Sequence, residues 1–249
     1  MAINVCQHRH TVSKVVVVTL LLLAVVELAL KHRKLEEELV QAFRFAASST
    51  VKLPAHLDPI EMGQLLPSEV WTIDEVHRKG LLHEGTFLFI VDSEYKLLLT
   101  RRSPSMVTCP NTWMPPGEHN RVSESSIETA KRGIEEEFGP NVWNNYVTKY
   151  ATMTTNPLFY FRDYGPHQYY DNRIDQQLTY MWYIQLSERG EVVEKSMIID
   201  KENTQYGWYT LEEVARWTDE KPEDFCHQTI IDLVVLGLKL LKDILGRDF

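Results

Sequence analysis

The chain has 249 residues, 44% apolar and 24% charged, which is enough for one large or two small domains with a packed core. A formal net charge of −9 argues against long nucleic acid as a partner, because a duplex-binding protein carries a basic face; a small phosphorylated ligand held by local basic groups remains compatible. The three cysteines, Cys6, Cys109 and Cys226, are widely spaced, form neither a disulfide framework nor a zinc pattern, and no Asn-x-Ser/Thr acceptor is present, so both facts point to a reducing, cytosol-facing domain.

Residues 15 to 30, VVVVTLLLLAVVELAL, are apolar except for Thr19 and Glu27. Arg9 and Lys14 flank them on one side, and Lys31, Arg33 and Lys34 on the other. The run is at the short end of the roughly 17–25 residues that span a bilayer and is expected to be a hydrophobic helix anchoring the chain in a membrane. A signal peptide centred on 15 to 26 or a buried soluble helix are the alternatives. Glu27 stands where a cleavage site needs a small residue. The heavier basic flank on the C-terminal side orients the main domain to the cytosol; signal-peptide cleavage would send it to the secretory pathway instead.

KHRKLEEELVQAFRFAASS then reads as a charged helical stalk, and the prolines of TVKLPAHLDP and LLPSE as a linker. The expected organisation is an anchor segment over 1–35, stalk and linker over 36–65, and one domain over 66–249. Within it, GTFLFIVDS (85 to 93) and YKLLLTRR (95 to 102) read as two strands joined by a polar turn. NPLFYFRDYG and QLTYMWYIQL (177 to 186) are further strands, and QYGWYTLEEVARW is a strand entering a short helix. TIIDLVVLGLKLLKDIL (229 to 245) is an apolar helix whose charges suit packing on a domain rather than spanning a membrane. Strands on both sides of one central helix, with a closing helix, imply an α/β fold with a mixed sheet between helical layers.

The central helix is SIETAKRGIEEEFG, 126 to 139. On a helical wheel Ile127, Ala130, Ile134 and Phe138 share one stripe, the core face. Glu136 and Glu137 lie on the other side from Glu128 and Glu135, on an arc with Gly133, so Glu135 points elsewhere. A side chain at Gly133 is expected to meet both Glu136 and Glu137. Arg132 is four residues before Glu136 and can pair with it, and Ser125 with Glu128 makes a capping box. Neighbouring carboxylates of this kind suit a hard divalent cation; the alternative is a solvated acidic face.

The surrounding stretch, WMPPGEHNRVSESSIETAKRGIEEEFG, resembles the Nudix box, G-x5-E-x7-R-E-U-x-E-E-x-G-U with U aliphatic. Glu124, Arg132, Ile134, Glu136, Glu137 and Gly139 fit without a gap, and Trp113, Pro116 and Gly117 fit the lead-in. Three positions depart: the opening glycine is Glu118, the first glutamate of the R-E pair is Gly133, and the closing aliphatic is Pro140. The resemblance implies an α/β/α sandwich and cleavage of a diphosphate linked to a small organic moiety, with Mg²⁺ or Mn²⁺ as cofactor. Carried over, Glu136 and Glu137 are metal ligands and Arg132 their orienter, all three catalytic. Arg101, Arg102, Trp113 and Glu124 are candidates for holding substrate. EVHRKGLLHEGTFLFIVDSEYKLLLTRRS resembles the branch with type I isopentenyl-diphosphate isomerase, in which His77, His83 and His119 match three metal-binding histidines and Asp175 an acidic ligand. The isomerase's catalytic cysteine has no counterpart in WMPPGEH, and its catalytic glutamate falls at Gln177, so alkene isomerisation lacks its proton donor and acceptor. A small-molecule diphosphate hydrolase is the leading expectation. A catalytically weak binding protein is the alternative, with Gly133 marking a removed carboxylate, and a prenyl-diphosphate isomerase the third reading.

Overall fold

The computed structural model describes residues 39–45, 65–165 and 172–246, all within one compact unit that begins at Leu39. In chain order the elements are β1 (Leu39–Phe45), β2 (Leu65–Thr72), α1 (Ile73–Lys79), β3 (Leu82–Val91), β4 (Leu97–Arg102), β5 (Trp113–Met114) and β6 (Gly117–His119). There follow α2 (Ser126–Phe138), α3 (Pro140–Tyr146), β7 (Val147–Thr152), β8 (Leu158–Asp163), β9 (Ile174–Leu186), α4 (Gly190–Val193), β10 (Asn203–Tyr209), α5 (Leu211–Glu220) and α6 (Gln228–Leu245).

The strands form one mixed sheet. β3 runs parallel to β9, from Leu82↔Gln176 to Val91↔Gln185, and the remaining pairings are antiparallel. The β3–β4 hairpin closes through Asp92, whose Oδ1 accepts the Glu94 and Lys96 amides at 2.8 and 2.9 Å. Both faces of the central strands are covered. Phe87, Phe89, Leu97, Leu99, Met181 and Tyr183 pack under α5 and α6, while Leu88, Ile90, Leu98, Trp182 and Ile184 pack under α2 and α3. Alternate residues therefore enter different cores, which is why β3 reads as an unbroken apolar run. α6 lies so close that a Cβ built on Gly237 would fall 1.9 Å from Cζ of the buried Phe89. The expected mixed sheet between helices is what forms.

Three expectations are corrected. Part of the presumed helical stalk is strand: β1 pairs with β2 from Leu39↔Thr72 to Phe45↔Leu65 and touches β3 at Phe43↔Leu82. Val40 and Ala42, two apart, are fully buried, so period-two burial against a neighbouring strand overrides a composition that favours helix. LLPSE, read as linker, opens β2, where Pro67 is tolerated because β2 ends the sheet. Second, Cys109 and Cys226 form a disulfide with Cα atoms 5.1 Å apart across a separation of 117 residues. Spacing along the chain is uninformative for two cysteines that the fold brings together, and the cysteine argument for a reducing compartment falls. Third, among the described residues no helix is long and apolar enough to cross a membrane, which overturns the expectation of a membrane-anchored protein. The run 15–30, to which the anchor and the alternative signal peptide were assigned, lies outside the described residues.

Candidate functional site

The box helix α2 starts as its sequence demands. Ser125 Oγ accepts the Glu128 amide while the Glu128 carboxylate accepts the Ser125 amide, a reciprocal capping box. One turn on, Arg132 gathers the loop before the helix. Its Nε and Nη2 donate to the two oxygens of Glu124 at 2.8 and 2.9 Å, and Nη2 also donates to the His119 carbonyl at 2.7 Å. Nη1 donates to Glu136 at 3.0 Å and lies 3.4 Å from Glu118 Oε2. Glu124 also accepts from Thr129 Oγ1 and the Arg121 amide. Its acceptors are thus committed to tying loop to helix, and the expected substrate-holding role at Glu124 gives way to a structural one.

The three consecutive glutamates have three environments. Glu135 is beside Lys131 at 3.8 Å. Glu136 is at the surface, paired with Arg132 and with Arg121 at 3.1 Å. Glu137 points inward, where its Oε2 accepts from Asn203 Nδ2 at 3.2 Å. Burial, and then the charge of Glu118, push the Glu137 carboxyl well above the usual carboxylate range; Arg102 offsets part of this. Glu136 and Glu137 therefore do not converge on one point. Gly133 is buried, and a Cβ there would meet Glu118 Cβ at 3.2 Å and Cγ at 3.5 Å, with Leu88 Cδ1 next at 3.7 Å. The expectation that it would meet Glu136 and Glu137 is corrected, because this side of α2 faces β6.

The three histidines come from separate elements and meet. His77 is on α1, which Gly80 ends in a left-handed cap at φ 60°; His83 is at the start of β3 and His119 at the end of β6. The Gly85↔His119 pairing brings the last two into reach. Ring centroids are 5.1 to 5.3 Å apart, and one ligand atom from each residue lies within 4.8 Å of the others. Asp175 Oδ1 is 3.8 Å from His77 Nε2 and 3.7 Å from His83 Nε2. Its other oxygen accepts from Arg162 at 2.9 Å. Burial alone would raise the Asp175 carboxyl, but Arg162 and the histidines hold it down to about 2, so it is ionised. Burial drives His77 to about 3, so that ring is neutral. His83 Nδ1 donates to the Leu81 carbonyl at 3.1 Å, which leaves Nε2 with its lone pair.

This donor set fits a divalent cation. His77 Nε2 and Asp175 Oδ1 are buried with no hydrogen-bond partner. Three imidazole nitrogens and a carboxylate suit a borderline cation such as Mn²⁺ or Zn²⁺ better than Mg²⁺, which prefers oxygen ligands of the kind Glu118 and Glu137 offer.

A cavity of about 90 Å³ brings much of this together, lined among others by His77, His119, Asp175, Glu118, Arg102 and Arg162. Arg102 enters it, with Nε donating to the Thr108 carbonyl at 3.1 Å. Arg101, one residue earlier on the strand, is on the other face and bonds Asn111 and Gln205 instead, so only one of the expected pair reaches the site. Trp113 does not reach it: its ring packs 5.9 Å from Tyr209 and 5.5 Å from Trp217 against the core. Gln177 lines the cavity and accepts from the Tyr160 hydroxyl, which also donates to Asp175 at 3.3 Å. Sequence reasoning missed Glu118, Arg162 and Asn203 as site residues. Only Glu118 carried a signal, as a departure from the box glycine.

A profile of the NUDIX domain matches residues 81–229. The m7GpppN-mRNA hydrolase NUDT17 of Xenopus laevis is 40% identical over 65 residues, covering 26% of this chain and 22% of that one. The chain thus spans about a fifth of the length of such relatives. The isopentenyl-diphosphate Delta-isomerase of Cereibacter sphaeroides is 25% identical over 174 residues, covering 70% and 85%. The MutT protein of Methanosarcina mazei Go1 overlays with a TM-score of 0.44 at 14% identity, covering 66% and 95%. The matched span is more than half of the chain and contains the box helix, two of the three histidines and Asp175. This protein belongs to the Nudix superfamily, on a branch resembling the isopentenyl-diphosphate isomerases.

Proposed function

We propose that the protein is a metal-dependent hydrolase that cleaves a diphosphate linked to a small organic moiety. The observation that carries this reading is the single cavity in which the Arg102 guanidinium, the Glu118 carboxylate and the histidine–Asp175 cluster face one another. Arg102 suits phosphate oxygens, and the nitrogen and carboxylate donors suit divalent cations. A cation bound there supplies Lewis acidity at the diphosphate. His77, His83, His119 and Asp175 would hold a borderline cation, and Glu137 an oxygen-preferring one. Arg132 orients Glu136 and the loop that carries His119, and acts through them. Glu136 would have to leave two guanidinium partners to bind metal, so the metal role in the box is assigned to Glu137.

The isomerase reading is disfavoured by the lack of a cysteine in WMPPGEH and by Gln177, which cannot carry a proton in the required exchange. A binding protein with weak catalysis is favoured by one observation, the engagement of Glu136 with Arg121 and Arg132. The test is to incubate the full chain with nucleotide-linked, capped-dinucleotide and prenyl diphosphates, with Mg²⁺ and with Mn²⁺. Phosphate or monophosphate products that disappear in Glu137→Gln and persist in Glu135→Gln support the hydrolase. Saturable binding without product supports the binding protein, and a rearranged alkene seen by NMR supports the isomerase.

A further inference from the structure

The Cys109–Cys226 bridge reaches the cavity, which Cys109 lines together with Thr108, Arg102 and Arg162. It joins the loop 103–112, between β4 and β5, to the segment that leads into α6 at Gln228. That loop cradles Arg102. Arg102 Nε donates to the Thr108 carbonyl at 3.1 Å and its amide to the Thr112 carbonyl at 2.9 Å, while the Asn111 amide donates to the Arg102 carbonyl at 3.2 Å. Cys109 and Asn111 have φ of 53° and 61°, left-handed backbone that a residue with a Cβ keeps only where its surroundings hold it. The two bridged residues are unequally buried. Cys109 is 3% exposed, whereas Cys226 is only half-buried.

We propose that the Cys109–Cys226 bridge is a thiol–disulfide exchange site through which a dithiol reductant loosens the pocket's grip on phosphate oxygens. A thiolate of the reductant bonds to Sγ of Cys226, the more accessible residue. The Cys109–Cys226 bond breaks and its electron pair leaves on Cys109. Arg162 Nη1 is 3.8 Å from Cys109 Sγ, and its charge stabilises the departing thiolate. The second thiol of the reductant then attacks the reductant's own bonded sulfur and frees Cys226. The two protons of the dithiol end on the two protein sulfurs, and the reductant leaves as a disulfide. With the bridge open, the loop loses its tie to the start of α6, its left-handed residues relax, and Arg102 loses the Thr108 carbonyl. Trp113 still pairs with Phe225 beyond the loop, which confines the release to 103–112. Arg162 still holds Asp175 through Nη2, the nitrogen that does not face the sulfurs. The effect on phosphate rests on the diphosphate-hydrolase reading and deepens it by adding a control on the same site.

The experiment uses the full chain with Cys6→Ser, so that the bridge is the sole source of thiol. Oxidised and dithiothreitol-reduced protein are compared by hydrogen exchange over 103–112 and by calorimetric titration with inorganic diphosphate in the presence of Mg²⁺. Reduction should speed exchange of the Asn111 amide about tenfold or more and weaken diphosphate binding about fivefold or more, and reoxidation should reverse both. The double variant Cys109→Ser with Cys226→Ser should match the reduced protein with or without dithiothreitol. Opening and closing the bridge in one sample keeps the test independent of how that variant folds. Glutathione, a monothiol, should be caught as a mixed disulfide on Cys226 in a peptide mass map; an adduct on Cys109 instead overturns the proposed order of attack. A bridge that dithiothreitol does not open in the folded protein overturns the inference, as does diphosphate affinity that is equal in the two redox states. If neither state binds diphosphate, the hydrolase reading fails, and the exchange site is then judged by the loop alone: faster exchange on reduction supports it and unchanged exchange refutes it.

Discussion

Replacing Arg132 with methionine removes one guanidinium from a pocket where it is 13% exposed and its partner Glu124 is 16% exposed. Four hydrogen bonds go with it: two to Glu124, one to the His119 carbonyl and one to Glu136. Methionine fills much of the volume, so the cost is electrostatic. Glu124 is left in a largely dry site with only Thr129 Oγ1 and the Arg121 amide as donors. Breaking a buried pair by removing one partner costs about 3–5 kcal/mol, and residual solvent access places this pair near 3. At this size that is a fall of roughly 6–12 °C in Tm. Glu124→Gln should cost less, about 1–2 kcal/mol, because it leaves no unpaired charge. The double variant should be more stable than the sum of the singles predicts. The pH dependence has a definite sign. Burial would raise the Glu124 carboxyl, but Arg132, the Arg121 amide and Thr129 together hold it below the usual range. Its contribution is therefore complete above the ordinary glutamate value of about 4.3 and is lost as pH falls through the lower folded value. The gap between wild type and Arg132→Met should be widest at neutral pH and close in acid. Scanning calorimetry in EDTA at neutral and acid pH measures it. A gap that does not change with pH, or a strictly additive cycle, would refute the reasoning.

His83→Gln should weaken Co²⁺ binding at least tenfold, read from the visible absorption of the bound ion, while leaving the Mg²⁺ heat unchanged; loss of both together would mean one site where two are expected. Gly237→Ala gains helix propensity of about 1 kcal/mol but puts a methyl into the Phe89 ring, and the overpacking of about 1–3 kcal/mol or more should win, lowering Tm in a denaturation scan. An unchanged or higher Tm would mean that α6 can shift away from β3 without cost.

The sequence was most readable where burial repeats along the chain. α2 appears because its apolar residues recur at the helical period, and the β3–β4 hairpin, β8, β9 and α6 because each is an apolar run bounded by turn or polar residues. It was least readable where a partner distant in sequence decides. β1 has the composition of a helix and becomes a strand because β2 and β3 offer it edges. The histidine cluster was found through resemblance, and its closure depends on β6 pairing with β3, which no local pattern encodes. Glu118 and Gly133 were both visible as departures from the box, but their packing against each other lies across two elements and no local pattern shows it. Trp113 and Glu124 show the opposite error. Their residue types suit ligand binding, and the fold uses one as core and the other as an anchor for Arg132.

The Cys109–Cys226 bridge has a topological consequence. It closes a covalent ring that includes Glu118, His119, Arg132, Glu137, Arg162 and Asp175, and leaves His77, His83 and Arg102 outside. Arg162, which holds Asp175, places Nη1 at 3.8 and 3.7 Å from the two bridged sulfurs, so the ring is fastened beside the group that steadies the acidic end of the histidine cluster. The path from Phe89 to Gly237 along the backbone is nearly the length of the domain, but through the bridge it is about thirty residues, which cuts the entropy of bringing α6 onto β3 by on the order of 1 kcal/mol. The ring as a whole removes about 5 kcal/mol of disorder from the unfolded chain in the chain-entropy account. Most of the pocket's chemistry is thereby carried on a loop that stays closed even when the protein is unfolded, and α1, β3 and β4 supply the rest from outside it.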